Sequence, residues 1–177
     1  KNNMLAIIGG SGLTTLSNLD VSHREVVRTP YGEPSGPVVF GQICGKPAMF
    51  LPRHGYGHTI PPHTVNYRAN LWALNHHKAT GVISVASVGG IRNDLQPGDI
   101  VLPNQIIDYT WGRKSTYFDG NGTPVTHIDF TEPYDRDLSR RIHEAGEQLG
   151  IKIKLGGVYA ATQGPRLETA AEINRLE

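Results

Sequence analysis

Three apolar runs in this chain stop abruptly at glycine, serine or a charged pair. Met4-Leu5-Ala6-Ile7-Ile8 runs into Gly9-Gly10-Ser11-Gly12, Ala48-Met49-Phe50-Leu51 into Pro52-Arg53-His54-Gly55, and Gly81-Val82-Ile83-Ser84-Val85-Ala86-Ser87-Val88 into Gly89-Gly90. The first two are continuous rather than alternating, as expected of strands covered on both faces, so the chain has to supply layers on either side of a sheet. In open α/β sheets ligands gather where strands exit. Ser11, the Arg53-His54 pair and Ser87 occupy three such exits, and they converge only if their strands lie side by side.

The stretch 52–70 is the one least explained by packing. A guanidinium at a strand exit suits an anion, and the bare amides and hydroxyl of Gly9-Gly10-Ser11-Gly12 can cradle phosphate. That turn is not the dinucleotide fingerprint, because Thr15 stands at the third glycine position and no acid follows at the expected distance. Nor is Gly41-Gln42-Ile43-Cys44-Gly45-Lys46-Pro47 a P-loop, since Pro47 replaces the hydroxyl residue. His54, His58 and His63 are spaced neither as on a metalloprotease helix nor as in a zinc finger, so no metal site is expected; a plain polar loop is the competing reading. Thr64 is placed to cap a helix carrying Tyr67, Leu71 and Leu74.

Elsewhere, 37–43 and 46–51 read as a hairpin about Cys44-Gly45, 93–99 as a turn into a strand at 100–102, and 106–108 as a further short strand. Residues 110–133 are polar and aromatic, too long for an ordinary connection, and carry His127; they read as a functional loop or subunit contact. An amphipathic helix fills 135–150 with Gly150 as its stop, and 155–161 forms a last strand. Its exit, Thr162-Gln163-Gly164-Pro165-Arg166-Leu167-Glu168-Thr169, opens a helix and puts Glu168 on the rim. That helix, 168–177, lacks a stop signal, so the polypeptide is expected to continue and the C-terminal part to be missing.

A length of 177 residues predicts one domain, and a net charge of +1 without basic tracts argues against nucleic acid. No apolar run approaches the ~20 residues of a membrane helix. The lone Cys44 and the lack of a leader point to the cytoplasm, where the sequon at Asn121 stays unglycosylated.

Together these motifs resemble the purine nucleoside phosphorylase superfamily, in particular its trimeric methylthioadenosine and methylthioinosine phosphorylase branch. The resemblance is carried by Ile8-Gly9-Gly10-Ser11-Gly12-Leu13, Arg53-His54-Gly55 with Val65-Asn66-Tyr67-Arg68-Ala69-Asn70, Ser87-Val88-Gly89-Gly90, and Gly164-Pro165-Arg166-Leu167-Glu168-Thr169. It implies a single α/β domain with a central mixed β-sheet partly closed into a barrel and flanked by helices. It implies phosphorolysis, with inorganic phosphate as co-substrate and no metal or organic cofactor. Ser11, Arg53, His54 and Ser87 are implied to bind phosphate, although serine at 87 departs from the alanine common in relatives. Leu167 is implied to stack on the base and Glu168 to read it, while His127 reaches the sugar 5′ end from a neighbouring subunit of a homotrimer or dimer of trimers. Glutamate at 168 matches the 6-oxopurine enzymes, so 5′-methylthioinosine is the first expected substrate, inosine or guanosine the second, and methylthioadenosine a poor one. Family members continue into segments supplying a ribose-binding methionine and a partner for purine N7. Without them a non-catalytic nucleoside- or phosphate-binding module is the alternative. A nucleoside hydrolase would want an aspartate cluster where Ser11 stands.

Overall fold

Burial on both faces is what the continuous apolar runs become. The computed structural model describes residues 3–177, beginning with β1 (Leu5–Gly9), β2 (Asp20–Glu25), β3 (Val38–Ile43), β4 (Lys46–Pro52), α1 (Tyr67–His76) and β5 (Gly81–Ser84). The five strands make one mixed sheet in the order β2-β3-β4-β1-β5. β1 runs parallel to both β4 and β5, whereas β3 is antiparallel to β2 and β4. From β4, Met49 and Leu51 pack to one side with Ala73 and Leu74 of α1, while Ala48 and Phe50 pack to the other with Leu19 and the half-buried Leu13 and Leu16. Each such side chain contributes about 1.5–3 kcal/mol on burial if it has the size of leucine or phenylalanine.

The expected hairpin is present, and both turn residues take positive φ, 50° at Cys44 and 73° at Gly45, matching the twist of the flanking strands. Two expectations need correction. Asn66, not Thr64, caps α1: its side chain accepts from the Ala69 amide at 3.0 Å, while the Thr64 hydroxyl turns back to the Pro61 carbonyl. The helix accordingly buries Ala69, Asn70, Ala73 and Leu74 and leaves Leu71 exposed. The strand expected over 81–88 ends at Ser84, because its partner β1 reaches its glycine turn and only the Val85 amide still finds the Ile8 carbonyl, at 2.9 Å.

The chain divides into two compact units, the first formed by the chain up to Ser87 together with Gly112–Asp119, the second by Val88–Trp111 and Gly120–Glu177. Within the first, Gly112–Asp119 lies strapped to α1. Arg68 donates to the Thr116 carbonyl and to Asp119, both at 3.1 Å, and stands over the Tyr31 ring at 4.7 Å. The Tyr117 hydroxyl donates to the Arg68 carbonyl at 2.6 Å, and Arg113 donates to the Tyr67 hydroxyl at 2.9 Å.

The second unit holds β6 (Ile100–Leu102), β7 (Gln105–Asp108), α2 (Arg136–Leu149), β8 (Ile153–Leu155), β9 (Val158–Ala161) and α3 (Ala170–Leu176). α2 is framed as its sequence predicts, with Asp135 accepting from the Leu138 amide at 2.8 Å and Gly150 at φ 70° as the left-handed cap. Gly146 lets the helix touch β8, since a Cβ there would stand 2.6 Å from Ile153. The single strand expected over 155–161 is two strands broken at Gly156-Gly157, whose φ values of 84° and 131° leave the β region. β6 pairs in parallel with β8 and β7 with β9. These strands of three or four residues pair only two by two, so no closed barrel exists among the described residues and that expectation is corrected; the mixed α/β architecture stands. The buried apolar side chains among the described residues all belong to the first unit, from Ala6 to Leu74. No helix among them is long and apolar enough to cross a membrane.

Candidate active site

In the first unit, β4, β1 and β5 are adjacent and parallel, so their exits share one edge of the sheet. Pairing continues past the strands there, with the Arg53 amide donating to the Gly9 carbonyl at 3.0 Å. The Arg53 side chain then crosses β1 to reach the exit of β5, its Nη1 donating to the Val85 carbonyl at 2.8 Å. Gly10 makes this crossing possible. A Cβ on it would lie 2.5 Å from the Val85 carbonyl and 2.6 Å from Arg53 Nη2, so any larger residue evicts the guanidinium. Ser11 is exposed on the following turn, closed by the Leu13 amide on the Gly10 carbonyl at 3.1 Å, and Ser87 is exposed two residues beyond Val85. The three exits are therefore neighbours on one edge of the sheet, and the Arg53 side chain spans from the β4 exit past Gly10 to Val85.

His54 is 7% exposed, and its Nδ1 lies 2.8 Å from the Ile60 carbonyl. A carbonyl only accepts, so Nδ1 carries the proton and the neutral ring keeps Nε2 as an acceptor. Burial, reinforced by the nearby Arg53 and His58, pulls its pKa below the ordinary value, and the Ile60 bond opposes this. The imidazole is thereby biased toward its neutral form. His58 and His63 are exposed.

Two supporting residues carried no role in the sequence reading. Asn70, 2% exposed, accepts from the Ser35 amide at 2.8 Å and donates to the Ser35 hydroxyl at 3.0 Å, which in turn donates to the Arg53 carbonyl at 2.6 Å. A polar residue in the buried stripe of an amphipathic helix was the available signal, because such an amide must find partners.

In the second unit, Glu168 lies one residue before the cap of α3 rather than opening the helix. Thr169 is the cap, accepting from the Glu172 amide at 3.1 Å while Glu172 returns to the Thr169 amide at 2.9 Å. Arg166 pairs with Glu172 at 2.8 Å, and with the Thr169 amide it brings that carboxyl down to about 2. The half-buried Glu168 instead accepts from the Thr162 hydroxyl at 2.7 Å, which is the main cause of a pKa below the carboxylate range. Leu167 is 85% exposed, and His127 is exposed in the segment before α2.

The first unit thus brings together a glycine turn, an arginine laid across it and a histidine biased toward its neutral form, donor groups of the kind that can hold an anion. A sequence profile of the phosphorylase superfamily matches residues 4–177. A protein of Xanthomonas campestris pv. campestris named probable S-methyl-5′-thioinosine phosphorylase is 48% identical over 172 residues, covering 97% of this chain and 69% of its own length. A Moorella thermoacetica protein named probable 6-oxopurine nucleoside phosphorylase is 46% identical, with 97% and 65% covered. Among solved structures, methylthioadenosine phosphorylase from Schistosoma mansoni in complex with adenine superposes with a TM-score of 0.91 at 31% identity, over 98% of this chain and 69% of that one. The chain belongs to the phosphorylase superfamily.

Proposed function

We propose that this protein is a purine nucleoside phosphorylase, a pentosyltransferase that splits 6-oxopurine nucleosides with inorganic phosphate, 5′-methylthioinosine first and inosine or guanosine second. The carrying observation is the Arg53 guanidinium laid between the backbone of Gly10 and the Val85 carbonyl at the shared edge of three parallel strands. In the reaction a phosphate oxygen forms a bond to C1′ of the ribose as the C1′–N9 bond breaks. The electron pair leaves with the purine, which takes up a proton in exchange for the one hydrogen phosphate gives up on forming the ester, giving free base and the sugar 1-phosphate, 5-methylthioribose 1-phosphate in the case of methylthioinosine. A nucleophile that is itself an anion needs neutralising donors and a fixed aim, and its charge also stabilises the cationic sugar of the transition state.

Phosphate is assigned to Ser11, Arg53, His54 and Ser87. The base is assigned to Leu167, which stacks on it, and to Glu168. An ionised carboxylate only accepts hydrogen bonds; N1 of a 6-oxopurine carries a proton, whereas N1 of adenine presents a lone pair. The lowered pKa of Glu168 supports this reading by keeping the acceptor charged. His127 is assigned to the 5′ substituent of a substrate on a neighbouring subunit, which makes a homotrimer, or a dimer of trimers, the proposed assembly.

Parallel assays of base release from methylthioinosine and methylthioadenosine, with and without phosphate, test the reading. Phosphate-dependent release of hypoxanthine at the higher rate is expected. Equal or better turnover of the adenine nucleoside overturns the base assignment, phosphate-independent turnover indicates hydrolysis, and saturable nucleoside binding without turnover indicates a binding module.

A further inference from the structure

Glu168 has no capping duty, because Thr169 and Glu172 already satisfy the start of α3 between them. Nor does it share in the ion pair beside it, since Arg166 is engaged by both oxygens of Glu172, at 2.8 and 3.2 Å. What holds it is a neutral hydroxyl six residues back, where β9 gives way to the turn: Thr162 Oγ1 donates to Oε1 at 2.7 Å. We infer that Thr162 is the positioning residue for base selection: its hydroxyl holds the Glu168 carboxylate in place with acceptor positions left for a ligand, so that the chain favours purines with a protonated N1.

This inference rests on the proposed reading of Glu168. Its physical content is separate. A carboxylate offers about four acceptor positions over its two oxygens; the hydroxyl takes one of them and positions remain for a ligand. Because the holder is neutral, the negative charge is not cancelled, as it would be by an arginine at the same distance. The Thr162 hydroxyl and then the backbone amide of Glu168 itself lower its pKa most, while the nearby charges act last and in opposite senses, Glu172 raising it and Arg166 lowering it. A protonated Glu168 would donate as well as accept and would satisfy the N1 lone pair of adenine, erasing the distinction. At neutral pH the acid is ionised in any case, so what the Thr162 bond adds is the placement of a carboxylate that only accepts.

The test uses the intact protein and four variants: Thr162→Val, Thr162→Ser, Thr162→Ala and Glu168→Gln. Two readouts are needed, the ratio of kcat/KM for methylthioinosine to that for methylthioadenosine, and the pH titration of the Glu168 side-chain carboxyl followed by carbon NMR on glutamate-labelled protein. Thr162→Val is expected to reduce the ratio about tenfold, the order of one charge-assisted bond, and to move the titration to higher pH. Thr162→Ser is expected to restore both, with phosphate saturation unchanged throughout. If Thr162→Val does not fold, Thr162→Ala carries the same expectation against Thr162→Ser. A valine or alanine variant with wild-type ratio and wild-type titration, in a background where Glu168→Gln collapses the ratio, overturns the role of Thr162 and leaves the reading of Glu168 intact. A Glu168→Gln variant that keeps the ratio overturns the reading of the base and this inference with it.

Discussion

Arg53 and Gly10 form a single device, because the guanidinium occupies the space a Cβ on residue 10 would fill. Arg53→Ala is expected to raise the phosphate concentration for half-saturation about ten- to hundredfold, the order of one charge-assisted interaction, with a smaller change for the nucleoside. Gly10→Ala is expected to reproduce that phosphate defect although it removes no polar group. Unchanged phosphate saturation in a folded Arg53→Ala protein would refute the assignment. His54 gives a pH signature. Its folded-state pKa lies below the ordinary 6.5, so the unfolded chain binds its proton more readily than the folded one. Stability from this group is therefore full above about pH 6.5 and declines as the pH falls toward the folded value. His54→Asn, which keeps a donor for the Ile60 carbonyl, is expected to lose part of that acid sensitivity. Urea unfolding midpoints at about pH 7.5 and 5.5 check it: the drop should be smaller in the variant than in the wild type.

At the scale of elements, α1 is fastened at two places whose chemistry differs. Asn66→Ala removes a cap and should cost about 1 kcal/mol, whereas Thr64→Ala should cost little, because the Thr64 hydroxyl bonds only the Pro61 carbonyl in an exposed position. Asn70→Ala is the more damaging change, at about 1–3 kcal/mol, since it leaves the Ser35 amide without its acceptor and removes the donor to the hydroxyl that holds the Arg53 carbonyl. Equal unfolding midpoints for the Asn66 and Thr64 variants would contradict the cap. The contrast also marks how far the chain could be read from its residues. Doubly covered strands, the Cys44-Gly45 hairpin and the glycine stop of α2 were legible, because each depends on local pattern and local φ. The cap was misread because Thr64 and Asn66 are both good capping residues, and only the tertiary bond from Asn66 to the Tyr31 carbonyl, at 2.8 Å, separates them. The break at Gly156-Gly157 was hidden for the same kind of reason. Apolar residues flank it on both sides, and the deciding bonds come from Arg92 and Asn104, fifty or more residues away. At the site, Ser11, Arg53 and Ser87 were visible as strand exits and Asn70 as a polar residue in a buried helical stripe, while Ser35 and Thr162 act through bonds that no spacing announces.

Across the molecule, the buried apolar side chains of the described residues are all in the first unit, while Trp111, Val125, Ile128, Phe130, Leu149 and Leu167 of the second are 63–85% exposed in the single chain. The assembly expected under the proposed function covers part of such a surface. Sedimentation equilibrium should show a trimer or a multiple of it, and a monomer at micromolar concentration would remove the neighbouring-subunit role of His127. A second consequence lies in how the polypeptide is threaded. The chain passes between the two units at residues 87–88, 111–112 and 119–120, and the strap Gly112–Asp119 returns to the first unit only to leave it again. A peptide bond cut within the exposed turn 120–122 yields a fragment with β6 and β7 and another with β8 and β9, which pair strand for strand. Nicked protein should therefore elute as one species under native conditions and separate only in denaturant. The two pieces expressed apart are natural halves for reconstitution, whereas a fragment ending at Ser87 would abandon Arg68 without Asp119, Thr116 and Tyr117.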